Sequence, residues 1–331
     1  EPMRRVFLPL ALTILLFAAF LRLHQIDLYP PGPHYDEAAN LVITRSIAFG
    51  GAWHFPIVEN FQGREVLYYY LNAPLLHVIG DEVFTMQLSS VFLNLVTIAG
   101  TMALGRVMFR GDRGAVIGLV AGILLALSFP QILLSRQVFR AVTLPFLQVL
   151  AVLFLWKGMC ANKWNWVYLV AGGVFGGLVL YTYNSSRLFP VWVAVLSLAI
   201  LFFDRQQWRV RLRKILIFDV VLALVSVPML IFALNNPDVF LGRLNEVTQT
   251  ESAIGLGDSI LLHLRMFFLE GDPYFRYNIP QRPYFTLIEG LLLLVSIVVA
   301  FFSILRGKRP LERAGLLLLI LSPLMIAPRV I

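Results

Sequence analysis

The residues best suited to chemistry include an acidic pair, Asp36 and Glu37. The pair follows a turn-forming Pro-Gly cluster at 30–33 and stands at the start of a predicted helix, 36–49. A carboxylate can take the proton from an attacking hydroxyl or amide group, so the pair could supply a general base. Acidic residues in a first helical turn also stabilise the helix through its dipole, and this structural interpretation stays open.

Arginines form a second set of candidates. Four of them occur in polar stretches between apolar segments: Arg64, Arg136, Arg140 and Arg187. The planar guanidinium fork donates two parallel hydrogen bonds to a phosphate group, so these residues predict binding of a phosphorylated substrate. For any one of them, pairing with lipid headgroups or an ion pair with Glu65 is the alternative.

The segments that must position these residues are strongly apolar. Hydrophobic residues make up 59% of the 331 residues and charged residues 14%, with a mean hydropathy of +0.78; soluble domains are roughly 45–50% apolar and 25% charged. This excludes a disordered chain, a collagen, a coiled coil and a typical soluble enzyme. It predicts an all-α, multi-span membrane protein with one transmembrane domain over 1–331. The single cysteine, Cys160, excludes an internal disulfide and a cysteine-based metal site.

Nine segments are candidate membrane spans, each of which needs about 20 mostly apolar residues. They are 6–23, 86–109, 114–134, 141–159, 164–186, 188–203, 215–236, 284–305 and 312–331. The first is expected to be a retained signal anchor, because it ends in Arg22 without a small-residue cleavage site. Residues 66–79 are apolar but too short to span, and predict a helix lying in the membrane interface.

The charge distribution predicts the orientation. With the N-terminus in the cytoplasm, all four lysines fall in short inner loops, as the positive-inside rule requires: Lys157, Lys163, Lys214 and Lys308. The net charge of +8 then reflects topology and predicts no nucleic-acid partner. Two long outer loops, 24–85 and 237–283, carry most of the polar candidates, so we expect the chemistry at the outer membrane boundary.

Several motifs resemble the GT-C glycosyltransferases, and among them the family 39 type of protein O-mannosyltransferases and aminoarabinose transferases. A basic N-terminus and one span precede the outer loop that contains Asp36-Glu37. The stretch Gly63-Arg64-Glu65-Val66-Leu67 resembles the Gly-Arg-Glu-Pro-Leu motif of a bacterial branch, with Val66 in place of proline. Further matches follow in family order: Ser135-Arg136, Phe139-Arg140, Tyr181-Thr182-Tyr183, Ser186-Arg187, Gly271-Asp272, Arg276, Asn278 and Pro280.

The resemblance implies an enzyme of a bacterial inner membrane that moves a sugar from a polyprenyl-phosphate donor to a protein, lipid or glycan acceptor on the outer face. It implies Asp36 as the catalytic carboxylate, with Glu37 beside it. The candidate substrate-loop residues are Tyr69, Asp272, Arg276 and Asn278. A divalent cation on Asp36, Glu37 and His34 is left open as a cofactor, since hard ions favour carboxylate oxygen.

Two other classes of protein fit parts of the pattern. A transporter of lipid-linked sugars would be expected to carry ionisable residues within its spans, and here only Asp219 and Glu289 approach span interiors. A non-catalytic subunit of a larger membrane complex would fit the substituted Val66 and the arginines that stand where many relatives have a second loop aspartate. It would also fit the end of the chain at Ile331.

Overall fold

A computed structural model describes residues 2–59, 63–109, 111–161, 165–240, 242, 256–271, 273–274, 278–307 and 309–322. The α-helices are α1 Pro2–Leu23, α2 Tyr35–Ala48, α3 Leu67–Val78, α4 Val83–Met108, α5 Gly111–Leu127, α6 Phe129–Arg136, α7 Thr143–Cys160, α8 Trp166–Leu178, α9 Phe189–Phe203, α10 Trp208–Asn235, α11 Leu256–Phe268, α12 Leu287–Arg306 and α13 Pro310–Leu321. Short 3-10 turns cover Arg140–Val142, Val179–Tyr181, Asn184–Leu188 and Arg205–Gln207. Two short strands, β1 Ile57–Val58 and β2 Arg64–Glu65, pair antiparallel in the first loop.

Several helices have the length and composition of membrane spans. In the described part of the chain, six pass this test, some together with an adjoining 3-10 turn: α1, α4, α7, α9, α10 and α12. Helices α5 and α6 add a seventh if they are counted as one span, although they meet at a 62° bend. The ninth predicted span, 312–331, is described only as far as Ser322. The multi-span class is therefore confirmed, whereas the number nine is not.

The bend between α5 and α6 has a local cause and a distant support. Pro130 stands in the first turn of α6, where a proline is tolerated, but its ring would clash with the preceding turn of a continuous helix. The last carbonyl groups of α5 have no partner within the helix. The fully buried Arg22 of α1 donates to two of them, on Leu125 and Ala126, both at 3.1 Å. This contact fixes the end of α5.

The chain forms two compact units. The first comprises residues 1–186 and 214–235, and the second comprises 187–213 and 236–331. In the first unit α4 packs on α5 and α7, and α7 packs on α8. In the second unit α13 packs on α9 and α12. The predicted single domain over 1–331 stays a prediction.

The glycine-rich face of α8 serves close packing. A Cβ atom on Gly173 would lie 2.6 Å from the carbonyl oxygen of Phe218, and one on Gly177 would lie 2.5 Å from Cβ of Val225. Small residues on one helix let a second helix approach at backbone distance. Helix α8 is thereby held against the 214–235 part of α10.

Candidate active site

Helix α2 carries three polar residues that contact other parts of the first unit: Asp36, Glu37 and Asn40. The helix begins at Tyr35, and Nδ1 of His34 caps it by accepting a hydrogen bond from the Asp36 amide at 3.4 Å. Residues three or four positions apart share a helix face, so Asn40 lies on the side of Asp36 and Glu37. Both acidic residues stand in the first turn, but neither acts only on the helix dipole.

Asp36 forms an ion pair with Arg64, the arginine of the first-loop motif. Nη2 of Arg64 lies 2.6 Å from Oδ1 of Asp36, and only 14% and 19% of the two side chains are exposed. Nη1 of Arg64 lies 2.8 Å from Oδ1 of Asn40. The β1–β2 ladder, which pairs Val58 with Arg64, holds the arginine backbone. The structure thus brings together a predicted base and a predicted phosphate ligand.

Asn40, which the sequence analysis did not select, is the centre of this cluster. The side chain is buried, and its Oδ1 accepts hydrogen bonds from Arg64 and from the hydroxyl of Tyr69 at 2.9 Å. Its Nδ2 donates to the carbonyl oxygen of Val138 at 2.8 Å. The available signal was its position four residues after Asp36 on the same helix face. Asn40 joins α2 to β2, α3 and the 137–139 stretch.

Glu37 binds the same stretch through the backbone amide of Val138. Its Oε2 accepts a hydrogen bond from the backbone amide of Val138 at 3.2 Å, and the side chain is buried. Glu37 and Asn40 therefore satisfy both backbone groups of Val138, as a neighbouring strand would. This contact gives Glu37 a positioning role, because Arg140 follows Val138 by two residues.

Arg140 is a buried cation beside a buried acid. Its Nη2 lies 3.6 Å from Oε2 of Glu65, and its guanidinium lies over the Tyr183 ring, 5.1 Å from the ring centre. Among the described residues, none forms a full hydrogen bond with its Nε or Nη1. A buried guanidinium with two such donors is suited to an anion.

Tyr69 lies between the two arginines and is fully buried. Burial raises the pKa of Tyr69, and the charges of Arg140 and Arg64 oppose this rise. The net increase keeps the phenol neutral at physiological pH, so it acts as a hydrogen-bond donor to Asn40. Its role in the structure is to orient the cluster from α3.

Arg136, predicted as a phosphate ligand, is engaged elsewhere. Its guanidinium donates to the backbone carbonyls of Leu21, His24, Gln25 and Tyr29 at 2.7–3.2 Å. These carbonyls lie in the last turn of α1 and in the segment that follows it, where intrahelical partners are lacking. We therefore leave Arg136 out of the phosphate-binding set and assign it to fixing the start of the first loop.

Two further predicted residues, Arg187 and Asn278, lie in the second unit. Arg187 donates to the carbonyl oxygen of Phe240 and stacks on the Phe240 ring, 4.0 Å from its centre. Asn278 donates to the carbonyl of Arg282 at 2.8 Å and shapes the turn of the second long loop. Asp272 and Arg276 fall outside the described residues. The part played by these four residues in a common site stays a prediction.

Replacing Asn40 by leucine tests its role as the centre of the cluster. The variant removes the acceptor of Arg64 and Tyr69 and leaves the buried Val138 carbonyl unpaired. We expect a loss of about 1–3 kcal/mol for each buried group left without a partner. Thermal unfolding in detergent measures this loss, with Asn235→Leu at the end of α10 as a control for the same replacement. An unchanged unfolding temperature in Asn40→Leu would contradict the assignment.

Solved structures of known proteins share the fold of this chain. No protein-family model and no curated protein matches the sequence. The structure is similar to the Archaeoglobus fulgidus oligosaccharyltransferase in complex with Zn and sulfate, with a TM-score of 0.61 and 14% identity over 96% of this chain and 45% of that chain. It is also similar to the oligosaccharyltransferase AglB of the same organism in complex with an inhibitory peptide and a dolichol-phosphate, with a TM-score of 0.60 and 14% identity over 97% and 47% of the two chains. A third structure, tethered with an acceptor peptide that contains the NVT sequon, gives a TM-score of 0.58 and 13% identity over 97% and 48%.

The chain has a GT-C fold. This confirms the fold predicted from the sequence motifs, and together with the apolar helices it identifies an integral membrane protein with several spans. The chain spans about half the length of the solved structures that it matches.

The residues suggested for a divalent cation do not converge. Asp36 is paired with Arg64, Glu37 accepts from the Val138 amide, and Nδ1 of His34 accepts from the Asp36 amide. In the described ranges, no three His, Cys, Asp or Glu side chains are grouped as metal ligands would be. A cation at Asp36 would also be repelled by the Arg64 guanidinium. The described residues do not fit a metal there, and we derive no step through one.

Proposed function

We propose that this chain is a membrane glycosyltransferase of the family 39 type, which takes a sugar from a polyprenyl-phosphate donor on the outer face of a bacterial inner membrane. The observation that supports this proposal is the cluster that joins the first outer loop to residues 137–140. A largely buried carboxylate, Asp36, is held by Arg64, and the cluster also contains Arg140 with two uncommitted hydrogen-bond donors. This set combines a base with an anion-binding group.

The proposed reaction is a single displacement with Asp36 as general base. Asp36 takes the proton from an acceptor hydroxyl or amide, whose oxygen or nitrogen forms a bond to the anomeric carbon. The bond between that carbon and the phosphate oxygen breaks, and the polyprenyl phosphate leaves with the electron pair. Arg140 stabilises the charge on the leaving phosphate through Nε and Nη1. Arg64 orients Asp36 for the transfer.

The neighbours support the substrate classes without fixing them. One of them was solved with a dolichol-phosphate and another with a tethered acceptor peptide. A polyprenyl lipid carries the same phosphate and keeps its tail in the bilayer, for which the apolar helix α3 provides a surface. The proposed acceptor is a protein, lipid or glycan, and association with a larger membrane complex belongs to the same proposal.

Turnover of a labelled donor tests the proposal. Purified protein is incubated with polyprenyl-phosphate sugars and membrane extract as acceptor, and released polyprenyl phosphate is measured. Release that depends on the acceptor supports a transferase. Donor binding without release favours a non-catalytic subunit with this fold, and movement of intact donor across vesicles favours a transporter.

The proposed orientation is tested by cysteine labelling. In a Cys160→Ser background, Glu82→Cys precedes α4 in the first outer loop, and Arg209→Cys lies in the first turn of α10. Both positions are exposed, so reactivity depends on the side of the membrane. We expect an impermeant thiol reagent to label Glu82→Cys in intact cells and Arg209→Cys only after permeabilisation. The reverse pattern would place the site on the cytoplasmic face.

A further inference from the structure

A short segment of the first loop, outside helices and strands, presents two aromatic rings. Trp53 is 76% exposed and Phe55 is 50% exposed, with the half-buried His54 between them. The two ring centres lie 6.4 Å apart with their planes inclined by 33°. The rings thus form a continuous aromatic surface.

Hydrogen bonds and ring contacts from Tyr70 and Tyr181 hold this surface in place. The hydroxyl of Tyr70 accepts from the His54 amide at 3.2 Å and donates to the His54 carbonyl at 2.8 Å. The Trp53 ring lies 5.5 Å from that of Tyr70, and the Phe55 ring stacks on the buried Tyr181 at 5.8 Å. We call these four residues (Trp53, Phe55, Tyr70 and Tyr181) the aromatic platform. Its backbone is fixed before any ligand arrives, which lowers the entropic cost of binding.

The platform adjoins the Asp36–Arg140 cluster along two chain paths. Phe55 precedes Ile57 by two residues, and Ile57 is paired across the ladder with Glu65, the partner of Arg140. Tyr181 precedes Tyr183 by two residues, and the Tyr183 ring lies against Arg140. Two residues of chain cover at most about 6.6 Å. A group attached to a phosphate at Arg140 therefore lies within reach of the platform.

We propose that the aromatic platform binds the sugar of the donor by stacking against its ring. Aromatic faces carry a negative quadrupole, which attracts the polarised C–H groups on one side of a sugar ring. Stacking would orient the anomeric carbon towards Asp36. It would also make the protein bind sugar-bearing polyprenyl phosphate more tightly than the bare lipid phosphate. This inference rests on the proposed function, since it assigns the sugar subsite of that donor.

The platform differs from an ordinary interfacial anchor. Tryptophan and tyrosine at a membrane boundary need only sit at headgroup depth. Here the Tyr70 hydroxyl forms hydrogen bonds with both backbone groups of His54. Phe55 stacks on the buried Tyr181, and two residues later the Tyr183 ring contacts Arg140. A fixed aromatic surface of this kind is suited to a ligand of defined shape and is not needed for contact with a fluid bilayer.

Two probes test the platform in detergent-solubilised protein: bare polyprenyl phosphate, and the same lipid phosphate carrying glucose, galactose, mannose or N-acetylglucosamine. The variant Trp53→Leu/Phe55→Leu removes the rings but retains apolar surface. We expect at least one sugar to tighten binding to the native protein about tenfold over the bare lipid phosphate. The variant loses this gain and binds the bare lipid phosphate as before. Trp166→Leu, an exposed tryptophan at the start of α8, is the matched control and keeps the gain.

Two results would overturn the proposal: an unchanged sugar gain in the leucine variant, or equal weakening of both probes, which indicates lipid anchoring only. If bare polyprenyl phosphate does not bind the native protein, the proposed donor site is wrong. The aromatic platform is then tested by itself. Soluble oligosaccharides of the same sugars must then quench tryptophan fluorescence in the native protein and not in the variant. Absence of that difference overturns the platform as well.

Discussion

Replacing Asp36 by asparagine should lower turnover about 10²–10⁴-fold, the usual effect of losing a general base. Asparagine has nearly the same size and still offers an oxygen to Nη2 of Arg64, so the 2.6 Å contact can persist as a neutral hydrogen bond. The cluster around Asn40 is left intact, and donor binding should change little. Turnover is measured with labelled donor at saturating concentration, and binding is measured separately with bare polyprenyl phosphate.

Asp81→Asn is the matched control in the same first loop. Asp81 also pairs with an arginine, Arg45, at 2.5 Å, but both side chains are exposed and belong to no cluster described above. We expect turnover of this variant to stay within about twofold of the native value, since exposed ion pairs contribute little. Near-native turnover in Asp36→Asn would leave Asp36 as a helix-capping residue and remove the chemical core of the proposed function.

The sequence was sufficient for the parts of the fold that depend on local pattern. Apolar length identified most spans, and the Pro-Gly turn followed by acidic residues located α2 within one residue of its observed bounds, Tyr35–Ala48. The span predicted over 114–134 is instead broken before Phe129. The signal for that break was present in Pro130, but hydropathy averaged over a window does not detect it.

Long-range side-chain contacts were not predictable in the same way. Arg136 and Arg140 lie four residues apart and look alike in the sequence, yet one binds four carbonyls at the end of α1 and just after it, and the other faces Glu65. Which partner each arginine meets depends on the break between α5 and α6, and therefore on Arg22. Asn40 was missed because a lone amide in a helix carries no chemical signature until its neighbours are placed.

The pair of Arg140 and Glu65 allows stability and donor binding to be separated. Both side chains are almost completely buried, with 7% and 2% exposed. Arg140→Met alone leaves a buried carboxylate without its cation, and we expect a loss of about 3–5 kcal/mol in the free energy of unfolding. Replacing both partners, in Glu65→Met/Arg140→Met, also removes the buried carboxylate and should recover most of that loss. Thermal unfolding in detergent measures both variants.

The double variant then tests whether Arg140 binds phosphate. If its Nε and Nη1 hold the donor, the folded double variant should bind bare polyprenyl phosphate at least about tenfold more weakly, as expected for loss of charge-assisted hydrogen bonds. The matched control is Arg45→Met, whose exposed pair with Asp81 should contribute no more than about 1 kcal/mol and should leave binding unchanged. Native affinity in a stable double variant would show that the buried pair serves structure alone. The anion site would then have to be sought at Arg64, whose pairing with Asp36 couples phosphate binding directly to the base.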